Sequence, residues 1–237
     1  MTFADYLATR PERWELVLDP PLPARTNMER DEALLGSPVP VLRLYSWQEP
    51  TLSLGCFQKD TFPGWPCVRR PSGGRALWHA DEITYALVLP ESGRLSVREA
   101  FCGVTRGLAA ALRALGASEV ETCAADSIPP GRENPSCMAV TRLGELSARG
   151  RKLAGSAQVR RGNALLQHGS LPRRLDRESL RRLWGESQQV IDLEALGLAE
   201  LQPEQLAREL GRVWGVTWEE PDHGSANPGS SLGRCGP

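Results

Sequence analysis

Residues 134–171, NPSCMAVTRLGELSARGRKLAGSAQVRRGNALLQHGSL, constrain the fold more than any other part of the chain. Arg149-Gly150 and Gly162-Asn163 are turn dipeptides, and Leu143, Leu146, Leu153, Leu165 and Leu166 lie around them in pieces of strand length. Such a run is poor helix material and good hairpin material. It predicts three antiparallel strands carrying Cys137, Lys152 and His168 on one face.

Those residue types suit acyl transfer. A thiolate is the nucleophile, and a nearby ammonium stabilises its charged form. The small residues Gly155, Ser156 and Ala157 let a substrate chain lie against the strand. Spacing alone does not establish this, because a lone cysteine usually packs as a small apolar residue and a lone lysine is usually solvated.

A second motif, Arg69-Arg70-Pro71-Ser72-Gly73-Gly74-Arg75, lies upstream. Gly73-Gly74 permits positive φ and the close approach of a ligand, and three arginines offer forked donors for carboxylate or phosphate. By itself a basic glycine-rich loop reads as a turn with solvated charges. Strands are predicted after it at 76–79 and 83–89. His79 is of a type that more often makes hydrogen bonds at a strand end than acts as acid or base, and it is assigned a binding role.

The segments RRPSGGRALWHADEITYAL and GRKLAGSAQVRRGNALLQHGSL together resemble the lipoate-protein ligase A-like superfamily, which pairs an RRxTGG-type loop with a later GrKixGsAq…lqHGs segment. The likeness covers residues 41–171 well and the remainder weakly. Ligases of this superfamily usually carry an Asn-Asp type sequence upstream of the lysine, whereas the octanoyltransferase branch carries a cysteine. Cys137, Glu145-Leu146 and Gly150-Arg151-Lys152 follow the second order. The resemblance implies Cys137 and Lys152 as catalytic residues. It places Arg69, Arg70, Ser72, Gly73, Gly74, Arg75, His79, Gly155, Ser156, Ala157, Gln158, His168 and Gly169 around the substrate, with the arginine loop bordering an acyl tunnel. Ser72 stands where the family usually has threonine and keeps the hydroxyl, while Trp78 is bulkier than expected. In NMERDEALL, Glu29 replaces a small residue that would face the sheet.

The rest of the chain fits one α+β domain. At 237 residues with 41% hydrophobic and 24% charged, it can bury a sizeable core. Net charge −1 argues against a broad nucleic-acid or membrane footprint. The opening residues carry charges throughout and no long apolar run, so a cytoplasmic protein without a membrane span is expected. Six cysteines without a CxxC pair and three histidines make a metal site improbable and six free thiols the expectation.

Strands are predicted at 14–19, 39–45, 51–57, 119–123 and 216–219. Helices are predicted from a Thr26/Glu29 capping box to about Gly36, from a Ser96/Glu99 capping box to Gly116, and at 175–184 and 203–214. Trp47 lies between the strands at 39–45 and 51–57, Tyr45 is a candidate for the acyl pocket, and Asp31 is left without a role. Residues 124–136 read as a loop delivering Cys137, and 221–237 as a disordered tail after a catalytic domain spanning 14–220. This order gives a mixed or antiparallel sheet with flanking helices. The resemblance implies the biotin/lipoate protein ligase catalytic-domain architecture.

The implied reaction moves octanoate from octanoyl-acyl carrier protein to Cys137. It then passes to a lysine of a lipoyl domain, such as the glycine cleavage carrier or a 2-oxoacid dehydrogenase E2 protein. No cofactor, metal, nucleic acid or membrane is implied. Backbone N–H groups near Gly155-Ser156 are candidate oxyanion donors, and His168 shapes the site. Three alternatives remain. An ATP-dependent lipoate ligase is opposed by Cys137 and by the lack of room for an accessory domain. An amidotransferase drawing on a glycine-cleavage carrier uses the same Cys and Lys. A non-catalytic acyl or carrier-protein binder is opposed by the intact pair.

Overall fold

The computed structural model describes residues 1–9, 13–123, 136–137, 144–185 and 189–221. In chain order the elements are α1 (Phe3–Thr9), β1 (Arg13–Leu18), α2 (Ala24–Ala33), β2 (Val41–Tyr45), β3 (Thr51–Leu54), β4 (Cys67–Arg69), β5 (Leu77–His79), β6 (Asp81–Leu89), α3 (Val97–Ala114), β7 (Val120–Thr122), β8 (Leu146–Ala148), β9 (Arg151–Lys152), β10 (Gly155–Arg161), β11 (Ala164–Arg174), α4 (Arg177–Trp184), α5 (Pro203–Trp214) and β12 (Thr217–Glu219). Six strands make a mixed sheet in the order β10-β11-β6-β2-β1-β12, and two three-stranded sheets, β4-β3-β5 and β7-β8-β9, flank it. The β10–β11, β11–β6 and β6–β2 pairs are antiparallel, and β2–β1 and β1–β12 are parallel. This is the expected α+β class with a mixed sheet.

Alternation along the strands divides the molecule into two faces, because successive side chains leave a strand on opposite sides. Leu42 and Leu44 of β2, Ile83, Leu87 and Leu89 of β6 and Leu165 and Leu171 of β11 join Val104, Leu108 and Leu112 of α3 and Leu206 and Leu210 of α5 in the main apolar core. The residues between them are polar yet buried: Arg43, Glu82, Thr84, His168 and Ser170. They point to the other side, where α2 and the β4-β3-β5 sheet meet them. The site is built there.

Local chemistry explains the element ends. Ser96 caps α3 by accepting from the Glu99 N–H (3.1 Å), and the helix stops before Gly116, whose φ is +114°. α2 begins earlier than the Thr26/Glu29 signature suggests. It starts at Ala24 behind Pro23, whose ring presets φ at −56°, and no side-chain cap is used. Glu29 then falls on the outer face beside Arg25 (2.9 Å), while Asn27, Met28 and Asp31 turn inward. Glu29 therefore does not face the sheet, as the small residue it replaces was expected to. β3 ends at Leu54 rather than 57 because the chain turns where Gly55 meets the arginine loop; a Cβ on Gly55 would lie 2.1 Å from the Gly74 carbonyl oxygen. α4 begins at Arg177, with Asp176 accepting from the Ser179 N–H (3.0 Å).

The three-strand meander expected for 134–171 is replaced by two hairpins in different sheets. β8 and β9, joined through Arg149-Gly150 with both residues at positive φ, belong with β7, whereas β10 and β11 belong to the main sheet. The exchange occurs at Leu153-Ala154, both buried. β9 is drawn away because its backbone pairs with residues 189–191: the Lys152 N–H donates to the Gln189 carbonyl (2.9 Å) and the Ile191 N–H to the Lys152 carbonyl (3.0 Å). α1 has no counterpart in the sequence expectations. It seats Phe3 on α3 and sends the Tyr6 hydroxyl to the Pro90 carbonyl (2.8 Å). Among the described residues no helix is long and apolar enough to cross a membrane.

Candidate active site

Cys137 follows Ser136, which bridges to Ala76 at the start of β5, and the Cys137 N–H donates to the Ala76 carbonyl (2.7 Å). The loop expected at 124–136 lies outside the described residues except for Ser136. The Cys137 sulfur rests against β10: a Cβ on Gly155 would come within 3.4 Å of it. Both residues line a cavity holding about 340 Å³ of empty space, part of it continuous with solvent. Met28, Tyr45, Trp47 and Leu77 give the cavity apolar surface, and Ser156, Ala157 and Gly169 form its strand wall. Gly169 has no alternative there, since a Cβ would lie 2.6 Å from the Ser156 hydroxyl and 2.7 Å from the Gly155 carbonyl. β10 is the edge of its sheet, so alternate backbone groups of Gly155–Ala157 point away from β11. The Gln158 amide meets Gln167 across the strands (2.7 Å) and does not line the cavity.

Lys152 is buried behind Cys137. Its ammonium donates to the Cys137 carbonyl (2.9 Å) and to Glu145 Oε2 (2.7 Å). The expected neighbourhood of cysteine and lysine is present, but it arises between the residues at 136–137 and β9 rather than across one sheet face. Glu145 shares the ammonium charge. The sequence carried a signal for it: an acid and a lysine flanking the Arg149-Gly150 turn fall on facing arms of a hairpin.

The arginine loop divides by function. Arg69 ties the loop to its neighbour by donating to the Gly55 and Gln58 carbonyls (both 2.9 Å). Arg70 is buried and lines the cavity. Gly73 and Gly74 carry the turn, Gly74 at φ +97°, and Arg75 accepts a bond from Arg70 through its carbonyl. Ser72 is fully buried and touches His168 (Oγ to Nε2, 2.6 Å).

Both histidines belong to hydrogen-bonded chains that end on acids. His168 Nδ1 lies 2.9 Å from Asp31, which also accepts from Arg43 Nη1 (2.6 Å) and the Tyr45 hydroxyl (2.9 Å). Facing a carboxylate, His168 Nδ1 is the donor of that contact, while Nε2 meets the Ser72 hydroxyl. Burial, then the charge of Asp31, pushes the Tyr45 hydroxyl well above its ordinary value, so it remains a donor. His79 stacks on Trp47 (4.0 Å between ring centres) and reaches Glu82 through Nδ1 and Ser53 through Nε2, both at 2.7 Å. Burial alone would raise the Glu82 carboxyl; the charge of His79 and hydrogen bonds from His79, Ser170 and Thr84 outweigh it and hold the group below the usual carboxylate range. Asp31, Arg43, Ser53, Glu82 and Glu145 were not assigned from sequence. The mark of Arg43, Ser53 and Glu82 was polarity at alternate positions of otherwise apolar strands, as in Leu42-Arg43-Leu44 and Glu82-Ile83-Thr84, whereas Asp31 lies on α2 and has no such mark.

This scaffold is shared. Residues 23–213 match the lipoyl protein ligase A/B catalytic domain, and the chain belongs to that family. Solved structures of the same fold include lipoate-protein ligase A bound with ATP, at TM-score 0.69 and 20% identity over 88% of this chain and 87% of that one. Another is the bipartite lipoate protein ligase of Thermoplasma acidophilum, at TM-score 0.66 and 19% identity over 88% and 86%. Within the family the chain is an acyltransferase. It is 38% identical over 186 residues to the octanoyltransferase LipM of Oceanobacillus iheyensis, covering 71% of this chain and 67% of that protein. It is 39% identical over 189 residues to the octanoyltransferase LipM of Moorella thermoacetica, covering 71% and 68%.

Proposed function

We propose that the protein transfers octanoyl groups in lipoate biosynthesis, from octanoyl-acyl carrier protein to a lysine of a lipoyl domain, through a thioester on Cys137. The observation that carries this reading is the position of the Cys137 sulfur on the wall of a partly apolar cavity, against the backbone of Gly155. In the first half-reaction the thiolate attacks the thioester carbonyl. A new carbon–sulfur bond forms, the bond to pantetheine breaks, and the departing thiolate takes up a proton. In the second half-reaction the neutral amine of the acceptor lysine attacks the enzyme thioester, the amide forms with loss of a proton, and the Cys137 thiolate leaves. Two easier displacements replace one difficult encounter. The outward N–H groups of the Gly155–Ala157 edge are suited to the developing oxyanion, and Lys152 holds the Cys137 main chain from behind. His168, engaged by Ser72 and Asp31, shapes the wall.

The test is to incubate the protein with octanoyl-acyl carrier protein, with and without an apo-lipoyl domain. Intact-protein and peptide mass spectrometry should find one hydroxylamine-labile octanoyl group on Cys137, and the lipoyl domain should be modified without ATP. An adduct on another residue, undiminished transfer by Cys137→Ala, or transfer only from free octanoate with ATP and magnesium would replace this reading.

A further inference from the structure

Arg70 is a buried charge on the wall of the Cys137 cavity that the reaction above does not use. All five of its N–H groups are taken. Nε donates to the Ser72 hydroxyl (3.2 Å), Nη1 to the carbonyl and hydroxyl of Ser53 (3.0 and 3.2 Å), and Nη2 to the carbonyls of Gly73 and Arg75 (2.8 Å each). Every one of these acceptors is neutral, and among the described residues no carboxylate pairs with the guanidinium. The other buried cations differ. Arg43 is paired with Asp19 and Asp31, and Lys152 with Glu145.

Two Ser–His–acid chains converge on Arg70. Ser53 leads through His79 to Glu82, and Ser72 leads through His168 to Asp31. Each serine oxygen accepts from the guanidinium while its histidine ring nitrogen holds it at 2.6–2.7 Å, so each chain fixes an acceptor and the two together fix the fork. With no donor left, Arg70 cannot grip a carbonyl or a phosphate by hydrogen bonds. It can act only by its charge. A buried cation without a carboxylate is costly unless another anion lies near, and the cavity wall it shares carries a thiol.

We propose that Arg70 is a fixed positive charge acting through space on Cys137, favouring its thiolate, and that the two Ser–His–acid chains are the frame that holds it. The proposal rests on the reading of Cys137 as the nucleophile. Burial pulls the Arg70 guanidinium below its ordinary value, and negative charge on Cys137 and Cys56 opposes that shift. Among the described residues, the charged and titratable groups packed about the cysteine and its cavity include Arg70 after β4, Cys56 after β3, Lys152 with Glu145 on the β8–β9 arms, His168 with Asp31 from β11 and α2, and His79 with Glu82 from β5 and β6. Lys152 is paired with the Glu145 carboxylate, whereas the described residues that bond Arg70 are all neutral.

Alkylation of Cys137 needs no acyl donor and so tests this apart from the transfer reaction. The rate with iodoacetamide is followed against pH by peptide mass spectrometry in wild type, Arg70→Gln, Arg70→Lys and Lys152→Met. Losing one unit of thiolate stabilisation is a factor of ten. Arg70→Gln should therefore slow alkylation at neutral pH about tenfold and move the profile to higher pH, while Arg70→Lys keeps most of the rate and Lys152→Met loses less than Arg70→Gln. Should Arg70→Gln fail to fold, the ratio of iodoacetate to iodoacetamide rates decides. An unbalanced positive charge raises that ratio above the value for free cysteine in both wild type and Lys152→Met. A profile for Arg70→Gln that coincides with wild type, or a ratio at the free-cysteine value in either protein, overturns the proposal. Reactivity that follows the prediction without any octanoyl adduct would instead overturn the proposed function.

Discussion

Asp31 is one carboxylate with three partners: Arg43, the Tyr45 hydroxyl and His168. Removing it would leave the buried Arg43 with Asp19 alone among its acids and free the Nδ1 proton of His168. Breaking a buried charged pair by deleting one partner costs about 3–5 kcal/mol. Asp31→Ala should lower folding stability by that order, and Asp31→Asn by less, since an amide oxygen still accepts. The measurement is the urea midpoint and slope of each variant, and a midpoint shared by wild type and Asp31→Ala would show that the carboxylate holds nothing. The sequence marked the residues that sit in local motifs, Cys137, Lys152, His168 and Arg70. It did not mark Asp31, because the contact to His168 closes over a long span of chain and nothing in the neighbouring residues encodes the meeting. Burial of an acid can be suspected from one strand or helix, but its partner cannot.

Helix α3 shows what was legible at the scale of elements and what was not. Its cap at Ser96, its apolar stripe and its stop at Gly116 are all local, and the sequence located each of them. Glycine inside a helix costs stability relative to alanine, and α3 carries two, Gly103 and Gly107. In the structure they are seats: a Cβ on Gly103 would lie 2.2 Å from the Phe3 ring of α1, and one on Gly107 would lie 2.2 Å from Trp214 Nε1 of α5. Exchange to alanine adds about 1 kcal/mol of helix preference, while overpacking costs about 1–3 kcal/mol. Gly103→Ala is therefore expected to be destabilising in the wild-type background and stabilising when combined with Phe3→Gly, which removes the ring and also the Phe3 Cβ that would otherwise lie 2.4 Å from the new methyl group. Thermal melts of the four proteins in that double-mutant cycle check it. A stabilising Gly103→Ala in both backgrounds would mean that α1 does not rest on α3. The strand pairing of 134–171 failed as an expectation for a related reason. The turns were read correctly, but which sheet each hairpin joins depends on Gln189 and Ile191, outside the segment.

At the scale of the whole molecule, the central sheet holds an apolar core on one face and a charged, buried site on the other, and the second arrangement makes stability depend on acid. Glu82 lies fully inside, bonded by His79, Ser170 and Thr84. Its carboxyl is held below the usual range in the folded chain, whereas in the unfolded chain it titrates near the ordinary value of about 4.3. As pH falls below about 5, the unfolded chain therefore takes up this proton before the folded one does, and protonation pulls the equilibrium toward unfolding. The contribution of Glu82 is fully present above the ordinary carboxylate value and is lost progressively as pH falls through the lower value in the folded state. Glu82→Gln, which keeps the size but cannot ionise, should be less stable than wild type at pH 7, and that difference should shrink steadily between pH 5 and the acid limit of folding. Urea midpoints taken across that range decide it. A gap between the two proteins that stays constant with pH would show that Glu82 contributes shape and not charge to the site face.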